Sequence, residues 1–269
     1  MGGALSQTDF CLVTLNTWKC EGAYRQRLAL VAKELNVLRP DVVALQESFQ
    51  ASDADADTAA WLATHCGLHA AQVQARRKHR AFEGSLVPSS SGMAMLSRQP
   101  WLAHQALPMP SHAADGGRVA QIITLQAGQH TLRVANLHLS HLPGSEGAEL
   151  RVLQLNAVLK QLQTLGPAGA TLLCGDFNGE LSSPGIAEFT GSPWGLVDTY
   201  ILAGSVREAT CFNDQGHGQV FDHVLLSPSL STCQVDIRSA ATVLRCDRPD
   251  AEGVTPSDHS GLMVKLSLV

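Results

Sequence analysis

The sequence predicts a mixed α/β fold in one domain, and three observations carry that expectation. Short β-like apolar runs alternate with helical ones along the chain, no repeat of fixed period appears, and no long low-complexity linker divides it. The 269 residues are 45% hydrophobic and 16% charged, too apolar for disorder and ample for a large core. Length alone would also accommodate two domains of about 150 residues. The unbroken alternation favours one domain over 1–269, with a loose tail at 1–7.

Taken in order, residues 10–15 read as a strand and 25–38 as a helix, with apolar residues at Leu28, Val31, Leu35 and Leu38. Residues 41–45 read as a strand after Pro40. Residues 58–66 read as a helix, and the acidic run SDADADT before them suits a helix N-terminus rather than a metal site. Residues 75–91, RRKHR followed by a Gly, Pro and Ser mixture, read as an exposed loop. Four β-like runs at 92–97, 101–107, 119–126 and 132–139, separated by turn residues, predict antiparallel meanders. A helix is expected at 149–165, ended by Gly166-Pro167. Strands follow around Leu172 and Leu173 and at 220–226, 233–238 and 262–268.

Composition also narrows the class. No apolar run approaches the roughly 20 residues of a membrane span, and the N-terminus lacks a secretory pattern. Gly2 and Ser6 formally fit a myristoylation pattern, a short one that chance also produces. Seven scattered cysteines without a CxxC pair point away from zinc knuckles and disulfide frameworks and toward a reducing, cytoplasmic compartment. A net charge of −5 argues against affinity for nucleic acid through broad electrostatics, while leaving room for a local basic patch.

The chemistry lies at strand ends. Four apolar runs finish on a polar group: LVTLN on Asn16, VVALQE on Glu47, VANLH on His138 and LLCGD on Asp176. Two later runs begin on one: FDHVLLS with Asp222, and SDHSGLMVKL with Asp258 and His259. Parallel strands finish together and an antiparallel strand starts where its neighbour finishes, so all of these groups, with Asn178, are expected at one mouth of one sheet system. Taken singly, each is an ordinary surface residue, turn or cap. Together they form a set of hard oxygen ligands and proton-transfer groups suited to magnesium or manganese. A calcium loop at Asp176 and Asn178 is excluded, because Leu181 and Ala187 stand where it needs Gly and Glu.

LNTW, ALQES, GMAMLSRQP, NLHLS, GDFN, FDHVLLS and PSDHSG occur in the order found in the endonuclease/exonuclease/phosphatase superfamily, and the chain resembles it from about residue 10 to 268. The resemblance implies a deoxyribonuclease I-like four-layer α/β sandwich, two packed mixed β-sheets flanked by helices. It implies a metal site at Glu47 with Asn16 and Asp258, and Mg2+ as cofactor with Mn2+ as an alternative. Asp176 is implied to orient and deprotonate water, and Asn178 to hold the phosphate or the nucleophile. His259 would contact phosphate or transfer a proton, with Asp222 fixing its tautomer, and whether Asp176 or His259 is the base stays open. His138 matches a second histidine of the deoxyribonuclease and sphingomyelinase branches, His141 reads as a loop histidine, and Arg118 matches a basic position able to clamp phosphate alongside Asn16.

The expected activity is phosphodiester hydrolysis by a monomeric nuclease acting on DNA or RNA. The basic run Arg76, Arg77, Lys78, His79 and Arg80 supports it, although a solvated loop explains that run equally well. Aromatic residues are only 5%, so no extended stacking platform is indicated, and Trp18 and Trp194 either flank the site or pack. The alternative is a phosphatase or phosphodiesterase acting on a lipid or small-molecule phosphate ester. A binding scaffold without catalysis is the third reading, and the intact set of polar residues argues against it.

Overall fold

A computed structural model describes residues 7–191 and 193–269. The Gly2 and Ser6 pattern and most of the expected tail lie outside the described residues.

In chain order the elements are β1 (Thr8–Asn16), α1 (Tyr24–Leu38), β2 (Val42–Ala51), β3 (Ala56–Asp57), α2 (Thr58–Cys66), β4 (His69–Phe82), β5 (Ser85–Ser97), β6 (Ala103–Met109), β7 (Arg118–Ala127) and β8 (His130–His138). Then come α3 (Gly144–Thr164), β9 (Ala170–Asp176), α4 (Ala187–Thr190), β10 (Val197–Asp198), α5 (Thr199–Leu202), β11 (Cys211–Phe212), β12 (Gly218–Gln219), β13 (Asp222–Leu226), β14 (Val235–Val243) and β15 (Gly261–Leu268). Seven strands form one sheet, in the order β14-β15-β1-β2-β5-β4 with β3 on β2. Six form a second, in the order β10-β13-β9-β8-β7-β6.

The central strands are buried on both faces, which is why they read as continuous apolar runs. Alternate residues of β1 serve two cores. Leu12 joins Val42, Met95, Val134, Leu172 and Val224 between the sheets, while Val13 and Leu15 face Leu28, Val31, Leu35 and Leu62 of α1 and α2. On the outer side of the second sheet, Leu155, Val158, Leu159 and Leu162 of α3 cover Leu137, Leu173 and Leu225. Helix, sheet, sheet and helix therefore stack as the four expected layers. Each fully buried leucine contributes roughly 2 kcal/mol by removal from water.

Asp57 caps α2 by accepting a 2.8 Å bond from Ala60 N, as the acidic run predicts. Three expectations need correction. Residues 75–91 are not a loop: they belong to the long β4–β5 hairpin, whose two turn residues Glu83 and Gly84 both adopt positive φ, at 47° and 81°. That turn twists with the strands it joins, and the polarity that imitates a loop is that of an edge strand with one solvated face. β2 continues beyond Glu47 to Ala51, with a register shift against β5 between Leu45 and Ser48. α3 starts five residues before the expected 149, because the small polar residues after Pro143 take helical geometry despite their weak propensity. Among the described residues no helix is long and apolar enough to cross a membrane.

Candidate active site

The single expected sheet edge is instead a seam between two sheets. β1 and β2 run parallel in one, β8 and β9 run parallel in the other, and register sets their ends level: Asn16 opposite Gln46, and His138 opposite Asp176. β13 runs back antiparallel with Asp222 opposite Asp176. Gly175 makes the β8–β9 approach possible, because at φ 128° a Cβ there would collide with the Leu137 carbonyl. These ends open on a cleft of about 650 Å³ lined by Asn16, Glu47, His138, Asp176, Asn178, Asp258 and His259, with Trp18, Lys19 and Arg118 beside them.

Asp176 is 2% exposed and sits at the centre. Its Oδ2 accepts from Asn16 Nδ2 across the seam at 3.0 Å, and its Oδ1 accepts from Asn178 N at 2.8 Å. Burial raises its carboxyl above the usual range, Asp222 adds to the rise, and His259 opposes it. Two histidines flank Oδ2 in opposite states. His138 Nε2 stands 3.5 Å away and is held neutral by burial and by the positive charges of Arg118 and Lys19. His259 Nε2 stands 4.0 Å away, while its Nδ1 meets Asp222 Oδ2 at 2.8 Å. Burial alone would neutralise His259, yet Asp222, with Asp176 and Asp258, lifts it well above its ordinary value.

Asp222 is 1% exposed and does not line the cleft, so it acts through His259. Asn178, at φ 49°, donates from Nδ2 to the Leu139 carbonyl at 3.0 Å. Asn16 is equally committed, since its Oδ1 accepts from Trp18 N at 3.1 Å.

The opposite wall is acidic. Glu47 has φ 56° at the irregularity in β2, a bulge that re-aims its carboxylate into the cleft. Lys19 Nζ lies 2.5 Å from its Oε1. Asp258 opens on the same cleft, and the protein packed around it, reinforced by Glu47, raises its carboxyl. Arg118 is held by Asp115, with Nη2 to Oδ1 at 2.5 Å and Nε to Oδ2 at 3.1 Å, and His141 also contacts that carboxylate. His141 is thus tied to the cleft rather than to an idle loop. Trp18 lines the cleft, whereas Trp194 packs beside the α3 core.

Several functional residues were missed in the sequence. Arg27, buried inside α1, donates to the carbonyls of Thr17, Trp18, Lys19, Glu21 and Pro256 at 2.9 to 3.4 Å, fixing the loop after Asn16 to the segment before Asp258. Gln46 Nε2 donates to Asn136 Oδ1 at 2.7 Å, and Asn136 returns bonds to Leu45 O and Ala94 O, joining the sheets beneath the site. His223, its pKa pushed down to about 3 by burial, sits with Nε2 2.8 Å from Gly179 O and holds the loop carrying Asn178. A polar side chain inside an apolar period was the available signal for all four.

Asp176, Asp222 and His259 each bring a ligand atom, and these lie within 4.8 Å of one another, a cluster capable of coordinating a divalent metal. With this geometry in place, sequence comparison gives the class: the chain belongs to the Endonuclease/Exonuclease/phosphatase family, whose profile matches residues 13–259. Metal-dependent phosphoester hydrolysis is the general activity of that family. Among solved structures, the chain is similar to an endonuclease/exonuclease/phosphatase family protein from Leptotrichia buccalis at 17% identity, covering 96% of this chain and 99% of that one with a TM-score of 0.74. It is similar to the human Nocturnin catalytic domain with bound sulfate at 20% identity, covering 97% and 94% with a TM-score of 0.71. It is also similar to D. rerio TDP2 complexed with single strand DNA product at 16% identity, covering 96% and 98% with a TM-score of 0.71. No curated protein sequence matches the chain.

Proposed function

We propose that the protein is a Mg2+-dependent phosphodiesterase whose substrate is nucleic acid, cleaved by in-line attack of water. The observation that carries the reading is the convergence of Asp176 with the Asp222–His259 pair on one side of a cleft and the bulged Glu47 with Asp258 on the other.

The donor set fits a hard divalent cation. Glu47 and Asp258 supply carboxylate oxygens on one wall, the charge on Glu47 raises the carboxyl of Asp258, and an ammonium already rests on Glu47. Asp222 and His259 are poorer ligands than their proximity indicates, because the facing Oδ2 and Nδ1 are engaged with each other and His259 favours its protonated form. We therefore assign the metal to Glu47 and Asp258. Asn16, whose amide bridges Trp18 and Asp176, supports that site by position. When bound, the metal supplies charge stabilisation on the phosphoryl oxygens.

The remaining roles follow from donors and acceptors. Asp176 accepts the proton of the attacking water, because its raised carboxyl is a stronger base than an ordinary aspartate. Asn178 spends an Nδ2 hydrogen on Leu139, which leaves its Oδ1 as the group that accepts from that water. His259, kept charged by Asp222, donates to a phosphoryl oxygen, and His138 contacts the same phosphate as a neutral donor. Arg118, oriented by Asp115, provides a third phosphate contact.

A nucleic-acid substrate is supported by the basic residues Arg76, Lys78 and Arg80 on the cleft wall and by the fold shared with the DNA-complexed TDP2. Net charge −5 favours the competing small-ester reading. A Mg2+-dependent panel of single-stranded DNA, RNA, plasmid, diester dye, monoester dye and sphingomyelin, with His259→Ala as control, separates them. Cleavage of a polymer is expected, and turnover confined to the monoester or the lipid would contradict the assignment.

A further inference from the structure

β4 is the terminal strand of the seven-stranded sheet, paired on one side only. Arg76, Arg77 and Lys78 follow one another on it, all exposed, and among the described residues none pairs with a carboxylate. By contrast Arg25, Arg118, Arg207, Arg238 and Arg245 each do. Three adjacent unneutralised cations on a protein of net charge −5 repel one another, an arrangement that costs stability unless an anion joins them. The strand that carries them is anchored. Arg80, buried beneath them, bonds Ser89 Oγ at 2.9 Å and Ser91 Oγ at 2.7 Å, and Arg76 lies so close to Gly116 that a Cβ there would approach its guanidinium to 3.1 Å.

Strand alternation divides the row between two cavities. Arg76 lines the cleft, Arg77 lines a neighbouring groove of about 490 Å³, and Lys78 and His79 form the wall common to both. Gln50, Gln74, Ser89 and Ser90 line that groove with amide and hydroxyl groups suited to bonding base or sugar edges. Among its lining residues the one ring able to stack on a base is the imidazole of His79, and the one carboxylate is Asp53.

We propose that β4 is a phosphate track that carries the flanking nucleotides of a single-stranded nucleic acid from the cleft into this groove. The inference rests on the phosphodiesterase reading above and extends it to a substrate several nucleotides long. The cations form one row rather than the two a duplex requires. With a single imidazole and no Phe, Tyr or Trp platform in the groove, binding depends mainly on charge and is salt-sensitive.

The test uses the full chain in EDTA and a 5′-labelled 12-nucleotide single strand, followed by fluorescence anisotropy across a salt titration. Wild type is compared with Arg77→Glu/Lys78→Glu and with the milder Arg77→Gln/Lys78→Gln, each checked by thermal melting. About a tenfold rise in Kd for the charge-reversed variant is expected, with a smaller rise for the glutamine variant. The log Kd against log salt slope should become shallower by about 1.4, roughly 0.7 per lost phosphate contact. Unchanged Kd and slope in both variants would overturn the track, and tighter binding of a duplex of the same sequence would overturn its single-strand assignment. Hydrolysis with Mg2+ is measured separately on the 12-mer and a dinucleotide. If wild type binds through the track yet cleaves neither, the nuclease reading fails while the track stands.

Discussion

At the cleft the seven-stranded sheet presents Asn16, the bulged Glu47 and, on the loop before β15, Asp258 and His259, whereas the six-stranded sheet presents His138 and Asp176, with Asp222 buried behind His259. The second group is placed by regular register, with His138 and Asp222 both opposite Asp176. The first is placed by irregular backbone: Trp18, Lys19 and Glu47 all have positive φ, and Arg27 pins the loop between them. In the proposed mechanism the general base Asp176 is thus set by strand pairing and His259 is steered across the seam by Asp222, while the residues assigned to the metal depend on a bulge and a buried guanidinium. Each dependence can be broken separately.

The largest effect is expected where the two sheets meet, at Asp176 and His259. Asp176→Ala and His259→Ala should each reduce kcat by about 10³-fold with the fold retained, checked by steady-state hydrolysis and circular dichroism. Next comes the positioning residue Asp222, whose change to Asn should cost about ten- to a hundredfold, as for other outer-shell partners. Asp222→Asn also has a pH signature in stability. A histidine raised above its ordinary 6.5 on folding contributes stability that is fully present below that pH and is lost as pH rises through the higher folded value. Melting in EDTA should therefore show a larger deficit for the variant at pH 6 than at pH 9.

The buried amides joining the sheets come third. Gln46→Leu removes the donor to Asn136 Oδ1, and Asn136→Leu removes the donor to Leu45 O and Ala94 O while Gln46 keeps Thr14; each should destabilise by about 1–3 kcal/mol in denaturant titrations, and the double change should cost less than the sum of the two. The smallest effect belongs to Lys19. Its ammonium competes with a metal for Glu47, so Lys19→Met should tighten Mn2+ binding a few-fold by calorimetry.

Much of this was legible in the sequence because strand ends and strand cores differ so sharply in polarity. Asn16, His138, Asp176, Asp222 and His259 stand out against apolar runs, and the structure brings four of them to one cleft with Asp222 buried behind His259. The two-sheet division was hidden from the residues alone, since apolar periodicity records that a strand is buried on both faces but not what covers each. The β4–β5 hairpin was hidden for the converse reason: RRKHR and VPSSS resemble a loop in composition, and only their pairing shows strand geometry. Arg27 was concealed by an otherwise ordinary helical pattern, because five backbone carbonyls meet it only after folding.

The assignment of the metal to Glu47 and Asp258 is tested most directly by Mn2+ affinity, measured by electron paramagnetic resonance or calorimetry on Glu47→Gln and His259→Ala in parallel. Glu47→Gln is expected to lose most Mn2+ binding while His259→Ala keeps it near wild type. The reverse result, affinity retained without Glu47 and lost without His259, would move the metal to the Asp176, Asp222 and His259 cluster and contradict the account.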